Sequence, residues 1–564
     1  MTEGGAAGAP PAYYDPVDED EEYELPAGAA WHDFLLHPFR LFSAYLQRLA
    51  RNFGWRFAVQ ISVMYMLVKG IMHATIHLTQ LPFCKKTLHV DSSDCQTMGA
   101  IASTPWAIKG ILGVVSDTVP LMGYHKSGYI FVAAVIGTLA VAALAALPIE
   151  SASIAAVLYA AANLETSVGD LLHEGKYAEL MQAKPHTGSA MVTYVWANIK
   201  VGFVIAACFA GPVSDHYSPK VLYWFLIPVA FSIVVPTALG FLSEERVSGD
   251  GSCVQWHIFE KYPYVVGLCV VMAICAMCNA LFGILFFDEK LLQMTVALSA
   301  SALLCVLTLA WLPRTLACCN LYMFLAHALY INLSGALDYW YTAGPECVPD
   351  GPHFDYTYYI TYTTIVGAVA GLVGVSLFQY YLGGWSFRPL FWVGTLLSVL
   401  GATFDILIVN RVNLALGIPD TWFYVSGNAV LRPIMGCVAH IPAVTLTSKL
   451  VPKGLESTTF ALLAGFQNFG SVVASQVGVY LTKAAGIKTS EGECNFEHLT
   501  PLLLVAHCVL PLVAIPLTFI LIPDKKMTDV IIHPEQVGEE PPIIGGALAI
   551  GDAGDDSNQT PPPP

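Results

Sequence analysis

Fourteen apolar runs dictate what this chain can fold into, because crossing about 30 Å of hydrocarbon takes roughly 20 helical residues and each run is near that length. They lie near 57–80, 97–117, 127–148, 151–172, 187–211, 220–242, 262–286, 291–312, 319–341, 357–382, 388–410, 421–448, 456–481 and 499–522. A backbone in lipid must satisfy its own hydrogen bonds, so runs of this kind form helices rather than open strands. The fold class that follows is an all-α polytopic membrane protein. Composition agrees: 55% of residues are hydrophobic and 12% charged, more apolar surface than a soluble core would hide.

The runs group as six, two and six around a polar connector, Ser243 to Lys261. The expected organisation is a disordered acidic N-tail with a basic pre-membrane segment (1–56), a six-helix bundle (57–242), a connector with an inserted helix pair (243–318), a second six-helix bundle (319–522) and a disordered C-tail (523–564). A twelve-span reading, in which the inserted pair forms one re-entrant hairpin, is the alternative. Arg40, Arg48, Arg51 and Arg56 precede the first run and place the N-terminus in the cytoplasm. Alternation then puts the loops holding Lys126, Lys176 and Lys184, Arg314, Arg388, Lys449 and Lys453, and Lys525 and Lys526 on that same side. Both termini are expected there, in the plasma membrane. Residues 1–30 lack a basic start followed by an apolar core, so no signal peptide is expected.

The net charge of −16 is a property of the tails, which hold 16 of the 42 acids; between them 26 acids face 24 bases. It argues for no nucleic-acid or cationic partner. Cys84 and Cys95 share one exterior loop, and Cys347 and Cys494 lie in two others, where an oxidising medium permits disulfides or leaves free thiols. The Cys275 and Cys278 pair stands in an apolar run without a second pair, and His73 and His77 lack a third ligand, so neither a metal site nor a cofactor is expected.

Pro105 to Lys126 carries the most specific pattern. It sets Pro105, Trp106 and the intramembrane Lys109 ahead of Gly113, Ser116 and Asp117, and closes in a turn with Pro120, Gly123, Tyr124, His125 and Lys126. The second half has a degraded copy, Leu382 to Trp385 followed by Arg388, and Gly211 to Asp215 ends the fifth run in another acidic turn. Asp405 with Asn410, Arg411 and Asn413, then Gly417 to Asp420, form a further pattern. Val451 to Phe460, including Glu456, with Asn468 to Gly470 below, form the last. Together these motifs resemble the folate-biopterin transporter family of the major facilitator superfamily, in a kinetoplastid-type member. The resemblance implies two six-helix bundles, a gate made by Gly113, Ser116, Asp117, Gly123 and Lys126, and family-motif roles for Pro105, Trp106, Asn413 and Glu456. It departs in the extra helix pair and in the gate loop, where only His125 and Lys126 stand in place of an arginine pair.

Ionisable residues inside the runs are the candidate site, since a charge at the bilayer centre costs about 3 kcal/mol on insertion scales and is seldom kept without use. Lys69, His73 and His77 recur at four-residue spacing on one face. Lys109 and Lys200 add cations, and Glu165, Asp170 and Glu174 add acids in the fourth run. Lys69, Lys109, Asp170, Lys200 and Arg411 are expected to bind substrate, and Asp170, Glu174 and Asp405 to carry protons; the bland alternative is structural pairing, Asp170 with Lys109 or Lys200. Tyr65, Trp106, Tyr194, Trp196 and Tyr339 offer aromatic surface.

The family implies gradient-driven import of folate or biopterin with protons. A folate presents a flat pterin that a carboxylate can grip, and a dianionic tail that suits an excess of lysine. A carrier of S-adenosylmethionine within the same family is the alternative. An ion channel would need a filter loop or a ring of like charges, and a membrane enzyme a constellation such as HExxH or GxSxG; neither is present, so no enzyme is expected.

Overall fold

The computed structural model describes residues 38–183, 188–247, 263–450, 456–490, 493–529, 531 and 543. Both tails, Lys184, most of the connector and the segment 451–455 with Lys453 lie outside these residues, and so does the side chain of Glu456.

A basic helix, α1 (Pro38–Phe53), precedes α2 (Trp55–Leu78), α3 (Ser92–Thr118), α4 (Ser127–Ala146), α5 (Ala152–Ala183), α6 (Gly188–His216) and α7 (Lys220–Ala238). The inserted pair is α8 (Pro263–Leu285) and α9 (Lys290–Trp311). The second half runs from α10 (Arg314–Ala328 and Ser334–Tyr341) through α11 (Thr357–Leu382), α12 (Phe387–Val409), α13 (Asp420–Lys449) and α14 (Glu456–Ala484) to α15 (Leu499–Leu521). Among the described residues, 11 helices are long and apolar enough to cross a membrane. Helices α5, α10 and α14 complete the succession of fourteen. Charge in α5 and a break in α10 lower their apolar signal.

The inserted helices hold 23 and 22 residues, about 33 Å each at 1.5 Å per residue, so they form two full spans and not a re-entrant hairpin. Two ends differ from the hydropathy reading. Helix α5 continues to Ala183, well past its last apolar stretch, and α10 begins at Arg314 directly after Pro313. Hydrogen bonding, not hydropathy, sets where a helix stops.

Helices α2 to α7 share one apolar core with Phe83, Tyr159 and Tyr223 at its centre, and α10 to α15 build the cores of the second half. The halves meet along two seams, α3 against α14 and α6 against α11; α8 leans on α3 and α9 on α14, so the inserted pair covers the first seam. Helices α2 and α6 cross at glycine on glycine: a methyl group on Gly70 would stand 2.8 Å from Gly202 Cα. That crossing seats Lys69, one residue away. Val63–His73 of α2 and Val425–Leu431 of α13 are π-helical, a widened turn that recurs at functional sites.

Contacts between the halves gather at the end that carries the disulfides Cys84–Cys95 and Cys347–Cys494. There Lys85 Nζ donates to Thr342 O (2.7 Å), Gln96 Nε2 to Asn332 O (2.8 Å) and Tyr339 Oη to Val90 O (2.6 Å). The Asp215 carboxylate accepts the backbone N–H groups of Tyr356 and Thr357 at the start of α11 (2.8 and 2.7 Å), and Lys290 pairs with Asp94 at 2.8 Å. At the opposite end Thr458 Oγ1 donates to Asp117 across the seam (3.3 Å).

Candidate functional site

Each half holds one buried ionic cluster. In the first half, Asp170 of α5 takes Lys69 of α2 on Oδ1 and Lys109 of α3 on Oδ2, both at 2.6 Å. Pro105 lies in the short turn where α3 breaks into Ser92–Ala102, Thr104–Ala107 and Lys109–Thr118, and this break brings Trp106 beside both cations. Its ring centre lies 4.5 Å from Lys109 Nζ and 5.6 Å from Lys69 Nζ, and 5.4 Å from the ring of His73. Asn163 holds His73 Nδ1 at 2.8 Å and donates to Ala102 O, which pins α2, α3 and α5 together. Glu174, one turn below Asp170, accepts a long bond from Tyr177 (3.4 Å) and lies within electrostatic reach of Asp170, Lys69 and Lys109. Glu165 sits deeper, 2% exposed and pressed against Gly137, with no hydrogen bond among the described residues.

In the second half Asp405 of α12 is 1% exposed and fully engaged. Oδ2 pairs with Arg432 of α13 at 2.6 Å, and Oδ1 accepts from Tyr341 (2.7 Å) and Asn428 (3.1 Å). These groups line a cavity of about 370 Å³ together with Asp338, Tyr330, Tyr359 and Tyr424. A second cavity of about 410 Å³, with His327 and His440, continues it through Tyr330, Asn332, Ser398 and Gly436.

Lys69, Lys109, Asp170 and Glu174 are therefore brought together, while other expected site residues stand apart. Lys200 joins no ion pair among the described residues; it is exposed, within electrostatic reach of Cys437 and His440. Arg411 lies in the α12–α13 turn with a left-handed φ of 58°, paired to Asp420 at 2.6 Å, and Asn413 donates to the other oxygen of Asp420 at 2.7 Å. These two residues close a turn; they do not line the cavities.

The gate motif frames a third cavity of about 470 Å³, lined by Gly113, Ser116, Asp117, Lys126, Glu174 and Glu179 and, from the second half, by Ser448 and Phe460. Ser116 Oγ donates back to Gly113 O, Gly123 turns the loop at φ 83°, and Lys126 reaches Glu179 at 3.7 Å. Gly113 permits no unusual approach, since a methyl there would meet its neighbours at 3.9 Å or more. In the second half the copy of this loop is held within its own half: Arg388 Nε donates to Ile522 O (2.8 Å).

The sequence reading missed Arg432, Asp338, Tyr341 and Asn428. Asp338 and Arg432 are ionisable residues inside apolar runs, so the rule that found Lys69 and Asp170 would have found them had it been applied along the second half.

Two helical halves around buried ionic clusters make this chain a membrane transporter of the major facilitator fold. A crystal structure of the peptide transporter POT superposes with a TM-score of 0.59 at 14% identity, covering 84% of this chain and 97% of that one. A mutant of the nucleoside transporter NupG gives 0.55 at 12% identity, covering 82% and 99%. The chain belongs to the BT1 family, whose family model matches residues 69–540. Its relatives include "Probable folate-biopterin transporter 6" of Arabidopsis thaliana, 25% identical over 88% of this chain and 87% of that protein. Others are a folate-biopterin transporter of Synechocystis (24%, 83% of each chain) and folate transporter 1 of Plasmodium falciparum (21%, 79% of this chain and 76% of that one).

Proposed function

We propose that this chain is a secondary active importer of folate, biopterin or both, coupled to protons and working by alternating access. The names of its relatives supply the substrate class. The observation that carries the mechanism is the Lys69–Asp170–Lys109 cluster with Glu174 beside it. Two cations and two carboxylates sum to zero when Glu174 is ionised and to +1 when it holds a proton. Protonation of Glu174 thus raises the attraction for an anionic folate tail, and release of either ligand weakens the hold on the other. This is the thermodynamic linkage that symport requires.

The gathering of inter-half bonds at the disulfide end supports reading this conformation as closed to the exterior, with both termini cytoplasmic in the plasma membrane. In this cycle the exterior contacts part when the gate at Asp117 closes. The organisation into bundles at 57–242 and 319–522 and the kinetoplastid-type subgroup belong to the same proposal.

Proteoliposomes holding the full chain, given radiolabelled folate, biopterin or S-adenosylmethionine in parallel in the external medium, test this reading. An imposed inward proton gradient should drive folate and biopterin above equilibrium. The S-adenosylmethionine alternative draws on the second half, where Asp338 and Asp405 face one Arg432; uptake of that cation above both pteridines would replace the proposed substrate.

A further inference from the structure

Of the two carboxylates in the second-half cavity, Asp405 is 1% exposed with a donor on each oxygen, while Asp338 has a donor on one oxygen alone among the described residues. Asp405 gives both oxygens to Arg432, Tyr341 and Asn428. Asp338, on the Ser334–Tyr341 segment of α10, accepts from Tyr359 Oη on Oδ1 at 2.7 Å. Its Oδ2 takes no side-chain or backbone donor among the described residues, and Asp338 lines the cavity beside Arg432, whose side chain remains 45% exposed. A half-satisfied carboxylate next to a half-exposed guanidinium is an acceptor pair followed by a donor.

We propose that Asp338 and Arg432 read the edge of the substrate ring and set its specificity. A pterin presents, in order, a 2-amino group, the N3–H and the C4 carbonyl, which is two donors followed by one acceptor. Asp338 accepts from the two nitrogens, Arg432 donates to the carbonyl oxygen, and Tyr341, Tyr359 and Tyr424 supply flanking aromatic surface. Tyr359 is a positioning residue that fixes the Asp338 carboxylate plane. The anionic tail is then left to the first-half cations, Lys69 and Lys109 of the Asp170 cluster, with Lys200 exposed within electrostatic reach of His440. This assignment rests on the pteridine reading above and adds which carboxylate recognises the ring.

The test compares biopterin with a lumazine-type analogue, in which a carbonyl replaces the 2-amino group and meets the carboxylate with an acceptor instead of a donor. Each competes against radiolabelled folate uptake in proteoliposomes. Wild type should prefer biopterin by about tenfold or more, the loss expected when a hydrogen bond to a charged acceptor is removed. Asp338→Asn should erase that preference, and Tyr359→Phe should reduce it several-fold while leaving uptake measurable. A preference that survives in Asp338→Asn overturns the assignment; if that variant fails to fold, an undiminished preference in Tyr359→Phe overturns it instead. Wild type that takes up folate without distinguishing the two rings overturns this inference alone, whereas wild type that takes up neither pteridine overturns the parent reading with it.

Discussion

The two halves each bury an ionic cluster, on non-equivalent helices and in opposite proportion. In the first half one carboxylate, Asp170, serves two lysines, with a second acid, Glu174, a turn away. In the second half one guanidinium, Arg432, serves Asp405, and a second acid, Asp338, has an oxygen to spare. Both clusters adjoin a π-helical stretch, in α2 and in α13. The difference teaches why a repeated architecture is useful to a transporter of amphoteric molecules. Under the proposed function, the cationic half suits an anionic tail, and the half with acceptors and tyrosines suits a ring with donor groups. A cavity between two equal halves would offer one charge preference twice.

The comparison breaks most completely at Asp170. Asp170→Asn leaves two ammonium groups without their shared counter-ion in a buried site, a loss of about 3–5 kcal/mol for a broken buried pair. We expect abolished gradient-driven uptake and a lowered unfolding midpoint in detergent, both read on the purified variant; normal uptake would remove the cluster from the mechanism. Adding Lys109→Gln should restore part of the stability but not the uptake.

A smaller effect separates tail from ring. Lys200→Gln removes an exposed cation that joins no ion pair among the described residues, so folate uptake should fall several-fold, which corresponds to about 1 kcal/mol, while uptake of uncharged biopterin stays within twofold. Lys109→Gln should weaken folate further and also disturb Asp170. Equal losses for both substrates in Lys200→Gln would make that lysine structural.

Glu174→Gln sharpens the comparison without removing a salt bridge. It fixes the first-half cluster at its protonated charge, so folate should still bind and exchange, but an imposed proton gradient should no longer raise accumulation. Undiminished accumulation would transfer coupling to another acid. The smallest shift is expected at the gate, where Asp117→Ala loses the Thr458 contact. Labelling of a single cysteine placed near Ser448 should rise modestly as the gate end opens more often, and identical labelling would leave Asp117 a local helix-end residue.

Much of the fold was legible because membrane insertion writes itself into the sequence. Run length fixed helix and span, as with Pro263–Leu285 and Lys290–Trp311, since lipid offers no other partner for the backbone. Intramembrane charge singled out Lys69, Lys109, Asp170 and Asp405, and the structure places all four in ion pairs, because a buried ion is too costly to leave without a counter-charge. Pairing was legible only in part: Lys109 was one of two candidate partners named for Asp170 and pairs with it, while Lys69 was not named as a partner and Lys200 does not pair with it. Which lysine meets Asp170 depends on the angle at which α2, α3 and α5 cross, set by Gly70 against Gly202 and by the break at Pro105, and Lys200 on α6 is turned elsewhere. Arg411 was expected at the substrate and closes a turn instead, because its partner Asp420 lies nine residues away and within reach before the cavity is. Asp405 and Asp338 look alike as buried acids in sequence. Only the packed structure shows that Arg432, Tyr341 and Asn428 engage both oxygens of one and leave the other an oxygen to offer, since the donors come from distant helices rather than from the residue itself.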